Sequence, residues 1–175
     1  NEPPKFMMAK HLRDKPYPMS LDTNVAYQVR VATSCGTMYI NLSPKQSPIA
    51  VNNFVNLAEA HWFNATYFFG TSRSPDFIRA GDPTETGDGG PGYTIPGDPP
   101  GALGYDVGSV AMWNDTGGRA GSQFIVITGT DGLDRVPPGM TVIGKLDGET
   151  SLQVAQKIAS VPTPDGKPLE KVWIL

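Results

Sequence analysis

Apolar and polar residues alternate along two short stretches early in the chain, Tyr27-Gln28-Val29-Arg30-Val31 and Thr37-Met38-Tyr39-Ile40-Asn41-Leu42. Successive side chains of a strand point to opposite faces, so each stretch reads as a half-buried strand. With Ser34-Cys35-Gly36 between them they predict an antiparallel hairpin. The period then changes. Val51, Phe54, Val55 and Ala58 recur at i, i+3, i+4 and i+7, which is one face of a helix. Ser47 stands at the N-cap position and Pro48 at the first helical position. Tyr67-Phe68-Phe69 and Phe77-Ile78-Arg79-Ala80 return to short strands, as do residues 109–113, 123–128 and 140–146. A second helix is expected over 151–160, with Leu152, Ala155 and Ala159 on one face and Glu149 near its positive end. Val172-Trp173-Ile174-Leu175 is expected to close the sheet. Many short strands with two amphipathic helices predict an antiparallel β-barrel capped by helices.

Between these strands runs a Gly/Pro-rich loop from Asp82 to about Gly108, long for a compact domain. Loops of that length are usually functional or braced by their own contacts. Its glycines let another backbone approach closely, which suits a groove for an extended peptide.

Composition narrows the picture. The 175 residues fit one domain, read as 25–175, preceded by an extended arm over 1–24 with no sustained period. A net charge of -3 gives no basic footprint, so no nucleic-acid partner is expected. No apolar run approaches the roughly 18 residues that span a bilayer. Cys35 is the single cysteine and reads as an inert thiol. Asp76, Asp82, Glu85 and Asp88 lie close in sequence but lack the spacing of a calcium loop. His11 and His61 lack metal-ligand companions, and His61 suits the end of the first helix. Neither a cofactor nor a metal is expected. The first residue is Asn1, so a missing upstream signal peptide, anchor or mere cloning choice is entertained.

Several segments carry a specific resemblance. They are Gly36-Thr37-Met38-Tyr39-Ile40-Asn41-Leu42, the run Ser47 to Ala58, and Gly81-Asp82-Pro83-Thr84-Glu85-Thr86-Gly87-Asp88-Gly89-Gly90-Pro91-Gly92-Tyr93. Ser109-Val110-Ala111-Met112-Trp113-Asn114 follows, then Gly121-Ser122-Gln123-Phe124-Ile125-Val126-Ile127 and Val142-Ile143-Gly144. In this order they resemble the cyclophilin-type peptidyl-prolyl cis-trans isomerases of bacteria, from about Tyr27 to the C-terminus. The resemblance implies a closed eight-stranded barrel capped by two α-helices. It also implies turnover of X-Pro bonds in peptides or unfolded proteins, by a monomer without a cofactor. The stretch Lys15-Pro16-Tyr17-Pro18-Met19-Ser20-Leu21-Asp22 resembles the lead-in of extracytoplasmic members and implies that location.

The family's Phe-His-Arg triplet is absent here. The resemblance puts Arg73, two residues before Pro75, in the catalytic place, with Arg79 as an alternative cation where members usually carry glutamine. Phe77 or Ile78 is expected to wall the proline pocket, with Ile125, Leu133 and Met140 as further walls. Gly132 stands where many members have tryptophan. Met112, Trp113, Asn114 and Gln123 are expected to line the peptide groove, Trp113 replacing a small residue. With the pocket tryptophan missing and Trp113 bulky, weak or absent cyclosporin binding is expected. A catalytically weak peptide-binding or chaperone module is the alternative that these departures imply.

Overall fold

A computed structural model describes residues 10–69, 76–98, 104–130, 136, 139–164 and 168–175. The hairpin forms as β1 (Gln28–Thr33) and β2 (Gly36–Leu42), paired from Gln28 opposite Asn41 to Thr33 opposite Gly36. Helix α1 follows at Pro48–Glu59, then β3 (Phe77–Ala80), β4 (Ile95–Pro96), β5 (Ser109–Asn114), β6 (Arg119–Ile127), β7 (Val142–Leu146) and α2 (Gly148–Ala159). One seven-stranded antiparallel sheet contains all the strands, in the order β1-β2-β7-β5-β6-β3, with β4 on β6. The long β6 is the hub, pairing with β3, β4 and β5.

Curling the sheet encloses a core of Met38, Ile40, Ile78, Val110, Met112, Phe124 and Ile143, each at most 1% exposed. The helix α1 packs against β4 and β6, and α2 against β2 and β3. Phe54 of α1 meets Phe124 edge-on at 5.3 Å between centroids. Such a pair adds about 1 kcal/mol beyond the area it buries.

The sequence reading holds for mainly β structure with two helices, but the eight-stranded ladder is not seen among the described residues. Segments 67–69 and 172–175, expected as strands, make single bridges instead: Thr33 with Ile174, Tyr67 with Trp173, and Phe69 with Arg79. The two-residue loop Ser34-Cys35 is shorter than the expected turn, because Gly36 already pairs with Thr33.

The N-terminal end of α1 departs from expectation, and its C-terminal end meets it. Ser47 makes no side-chain cap; its hydroxyl donates to Val142 O at 2.7 Å. The cap comes from the long loop, where the Asp98 carboxylate accepts the Ile49 and Ala50 N–H groups at 3.0 and 2.8 Å. At the other end His61 adopts φ 55°, the left-handed conformation. Its N–H donates to Ala58 O and that of Trp62 to Leu57 O, which is the Schellman pattern of helix termination.

Candidate functional site

The candidate groove lies on the sheet face turned away from the main core, where β3, β5 and β6 meet the loop after β3. Alternation along β3 decides which side chains reach it. Phe77 joins a second apolar cluster with Ala111, Ile125, Ile127, Val136, Met140 and Val142, while Ile78 is fully buried in the main core. Of the two candidates for the pocket wall, Phe77 therefore takes the groove face and Ile78 does not. The same parity corrects Met112: flanked by the groove-side Ala111 and Trp113, it points into the main core and is 0% exposed. The register of β5 on β6 shifts between Met112 and Asn114, where Gly121, Ser122 and Gln123 of β6 lie opposite Trp113 alone, so the irregularity is in β6 and Trp113 keeps the alternation of β5. Ile125 and Met140 are in the second cluster, both buried, with half-buried Tyr105 and Trp113 packed against it. Tyr105 donates to Met140 O at 2.8 Å.

Polar groups converge on Trp113. The Arg79 guanidinium lies 3.8 Å from the centroid of the Trp113 ring and 5.3 Å from that of Phe69. A partly desolvated stack of this kind is worth about 1–2 kcal/mol. Nη2 of Arg79 donates to Gln123 Oε1 and, at 2.9 Å, to Gly87 O. The Gln123 amide donates to Gly87 O at 2.9 Å and Gly89 O at 2.7 Å. Asn114 Nδ2 donates to Gly139 O at 2.7 Å. Burial pulls the Arg79 pKa down to about 10 against the opposing charges of Asp82 and Asp88, so it remains a cation at neutral pH. Arg79 Nε and Asn114 Oδ1 are buried without a partner among the described residues. Leaving such an atom without a partner costs about 1–3 kcal/mol.

The Gly87 and Gly89 carbonyls are held in place by Asp82, which sequence reasoning did not assign to this role. Its Oδ1 accepts the Thr84 N–H and hydroxyl, both at 2.7 Å, and its Oδ2 accepts the Gly87 N–H at 2.6 Å. Gly89 passes so close that a Cβ there would lie 1.9 Å from Asp82 Oδ1. The signal was present in the spacing Asp82-x-Thr84, where aspartate accepts from the residue two places on. Beside this loop is a cleft of about 420 Å³ lined by Gly89, Tyr93, Trp113, Asp115, Arg119 and Gln123, among others. Trp113 thus borders both the apolar cluster and the cleft.

Of the expected site residues, Phe77, Arg79, Trp113, Asn114, Gln123, Ile125 and Met140 are brought together. Arg73, Leu133 and Gly132 lie outside the described residues. No group of three potential metal-ligating His, Cys, Asp or Glu side chains occurs among the described residues.

Residues 28–175 match the family model described as cyclophilin type peptidyl-prolyl cis-trans isomerase/CLD. A curated relative, the peptidyl-prolyl cis-trans isomerase B of Streptomyces anulatus, is 33% identical over 159 residues, covering 81% of this chain and 90% of that protein. The probable peptidyl-prolyl cis-trans isomerase B of Mycobacterium tuberculosis is 31% identical over 163 residues, covering 83% of this chain but 52% of that protein. The chain therefore spans about half the length of that relative. Among solved structures, a cyclophilin type peptidyl-prolyl cis-trans isomerase of Cryptosporidium parvum superposes with a TM-score of 0.73 at 25% identity, over 86% of this chain and 94% of that one. The same Cryptosporidium protein has been solved in the presence of the dipeptide Ala-Pro.

Proposed function

Because this chain belongs to the cyclophilin-type peptidyl-prolyl cis-trans isomerase family, we propose that it catalyses cis-trans isomerisation of X-Pro bonds in peptides or unfolded proteins. The observation that carries the reading is the convergence of Arg79, Gln123 and Asn114 on Trp113 beside the apolar cluster of Phe77, Ile125 and Met140. Rotation about an X-Pro bond breaks no σ-bond. Its barrier of about 20 kcal/mol is the amide resonance lost at the twisted state. A catalyst must hold the proline ring, hold the flanking backbone, and offer a donor to the prolyl nitrogen, which regains its lone pair as the amide twists.

In this groove the ring docks on the second apolar cluster, Asn114 Oδ1 faces the peptide backbone, and Gln123 holds Arg79 and the loop carbonyls beside it. Arg79 supplies a guanidinium whose Nη2 is fixed by Gly87 O and Gln123, so little reorganisation is needed as electron density returns to the prolyl nitrogen. No nucleophile or proton donor is required. The segments 67–69 and 172–175 complete the barrel wall in this reading. Cyclosporin binds weakly or not at all, since Trp113 occupies the groove. The domain works as a monomer, and an extracytoplasmic location rests on the 15–22 stretch alone.

The test is exchange NMR on an Ala-Pro peptide with wild type, Arg79→Ala and Arg73→Ala. Loss of Arg79 should lower kcat/KM by about a hundredfold, the usual cost of one preorganised donor. A collapse confined to Arg73→Ala would assign the contact with the prolyl nitrogen to Arg73 and leave Arg79 as a backbone contact. Absence of turnover by folded wild type would leave a peptide-binding module.

A further inference from the structure

Trp113 has a position that the family reading does not explain. Its indole packs on the apolar cluster through Phe77, 6.3 Å between ring centroids, and also lines the 420 Å³ cleft. One side chain thus touches both the buried apolar cluster and the cleft. It is also braced. Strand alternation aims it to the side of Ala111, and Arg79, tied to Gly87 O and Gln123, covers one ring face at 3.8 Å. A flexible rotamer could move aside for a large ligand, whereas this ring is held from the strand below and by the cation against its face.

We infer that Trp113 is a specificity-determining residue that partitions the groove and selects clients with a small residue immediately before the proline. The inference rests on the isomerase reading of this groove. With the proline ring on the apolar cluster, the atom that gains a lone pair as the amide twists is the prolyl nitrogen. For that nitrogen to meet Arg79, the residue bonded to it on the N-terminal side must lie over the Trp113-Arg79 stack. Glycine or alanine fits over an indole without displacing it. A leucine or phenylalanine side chain must share the space that the ring fills. Selection therefore works by exclusion, a built-in clash with the wrong client rather than an added contact with the right one. The residue farther from the proline can then enter the cleft.

The experiment uses the whole chain and four peptides, Ala-Xaa-Pro-Ala with glycine, alanine, leucine or phenylalanine at Xaa. Binding is read by chemical-shift titration and turnover by exchange NMR on the same samples, for wild type, Trp113→Ala and Trp113→Leu. Wild type should favour alanine over phenylalanine at least tenfold. Trp113→Ala should compress that ratio to within threefold by gaining the phenylalanine peptide, and Trp113→Leu should fall between. Should Trp113→Ala fail to fold, the wild-type and Trp113→Leu ratios decide. Equal handling of all four peptides by wild type, or a ratio unmoved by the substitutions, overturns the partition and leaves isomerase activity intact. Size-selective binding without turnover sustains the partition and removes the isomerase reading. Failure to bind any of the four overturns both.

Discussion

Asp82 shows what one side chain can organise. Burial alone would raise its pKa, but hydrogen bonds from the Thr84 hydroxyl and from the Thr84, Gly87 and Gly89 N–H groups outweigh that and lower it. A carboxyl whose pKa is depressed in the folded state contributes stability above the unfolded value, near 3.9, and loses it as pH falls through the folded value. Acid should therefore loosen the 82–92 loop while the sheet persists. Protection factors at Thr84 and Gly87, which remove the intrinsic pH dependence of amide exchange, should fall in wild type as pH drops from 6 to 2. Asp82→Asn should show low protection throughout and a much flatter pH response. Unchanged exchange in that variant would mean that the loop does not depend on this carboxylate. Arg79 illustrates the opposite limit of legibility. A cation was readable at that position, but its fixation by Gly87 O was not, because a loop carbonyl has no signature in sequence.

Among the elements, β1, β2 and α1 were legible because period 2 and period 3.6 are direct consequences of backbone geometry. Parity within β3 and β5 was less so. Phe77 and Ile78 are both apolar, so only pairing of β3 with β6, Phe77 opposite Ile127, decides which one faces the groove. Met112 was assigned to the groove for want of the same information. The cap of α1 was misplaced because Ser47 is adjacent in sequence, whereas Asp98 arrives from about fifty residues away. Its carboxylate meets two N–H groups and the positive end of the helix. Asp98→Ala should destabilise the protein by about 1–2 kcal/mol in urea unfolding. Ser47→Ala removes a different contact, the bond to Val142 O, and should leave α1 capped. Equal, negligible effects would remove Asp98 from its capping role.

At the scale of the whole molecule, the described part of the N-terminal arm is an integral layer. Asn52 of α1 accepts the Ser20 N–H at 2.9 Å and donates to Pro18 O at 3.1 Å. Lys10 Nζ donates to His61 O and Asn64 O just past the end of α1. Asn52→Ala should release residues 18–20, lowering Tm by about 2–4 °C for a chain of this size and speeding limited proteolysis in the arm. Proteolysis at the wild-type rate would show that other contacts suffice. The arm also reaches the groove's own loop: the Arg13 N–H donates to Pro91 O at 2.8 Å, while Gly87 O and Gly89 O of that loop hold Arg79 and Gln123. The arm and the groove thus draw on one segment. Whatever factor an occupant of the groove adds to the arm's hold on Pro91, the docked arm returns to that occupant's affinity, by thermodynamic reciprocity.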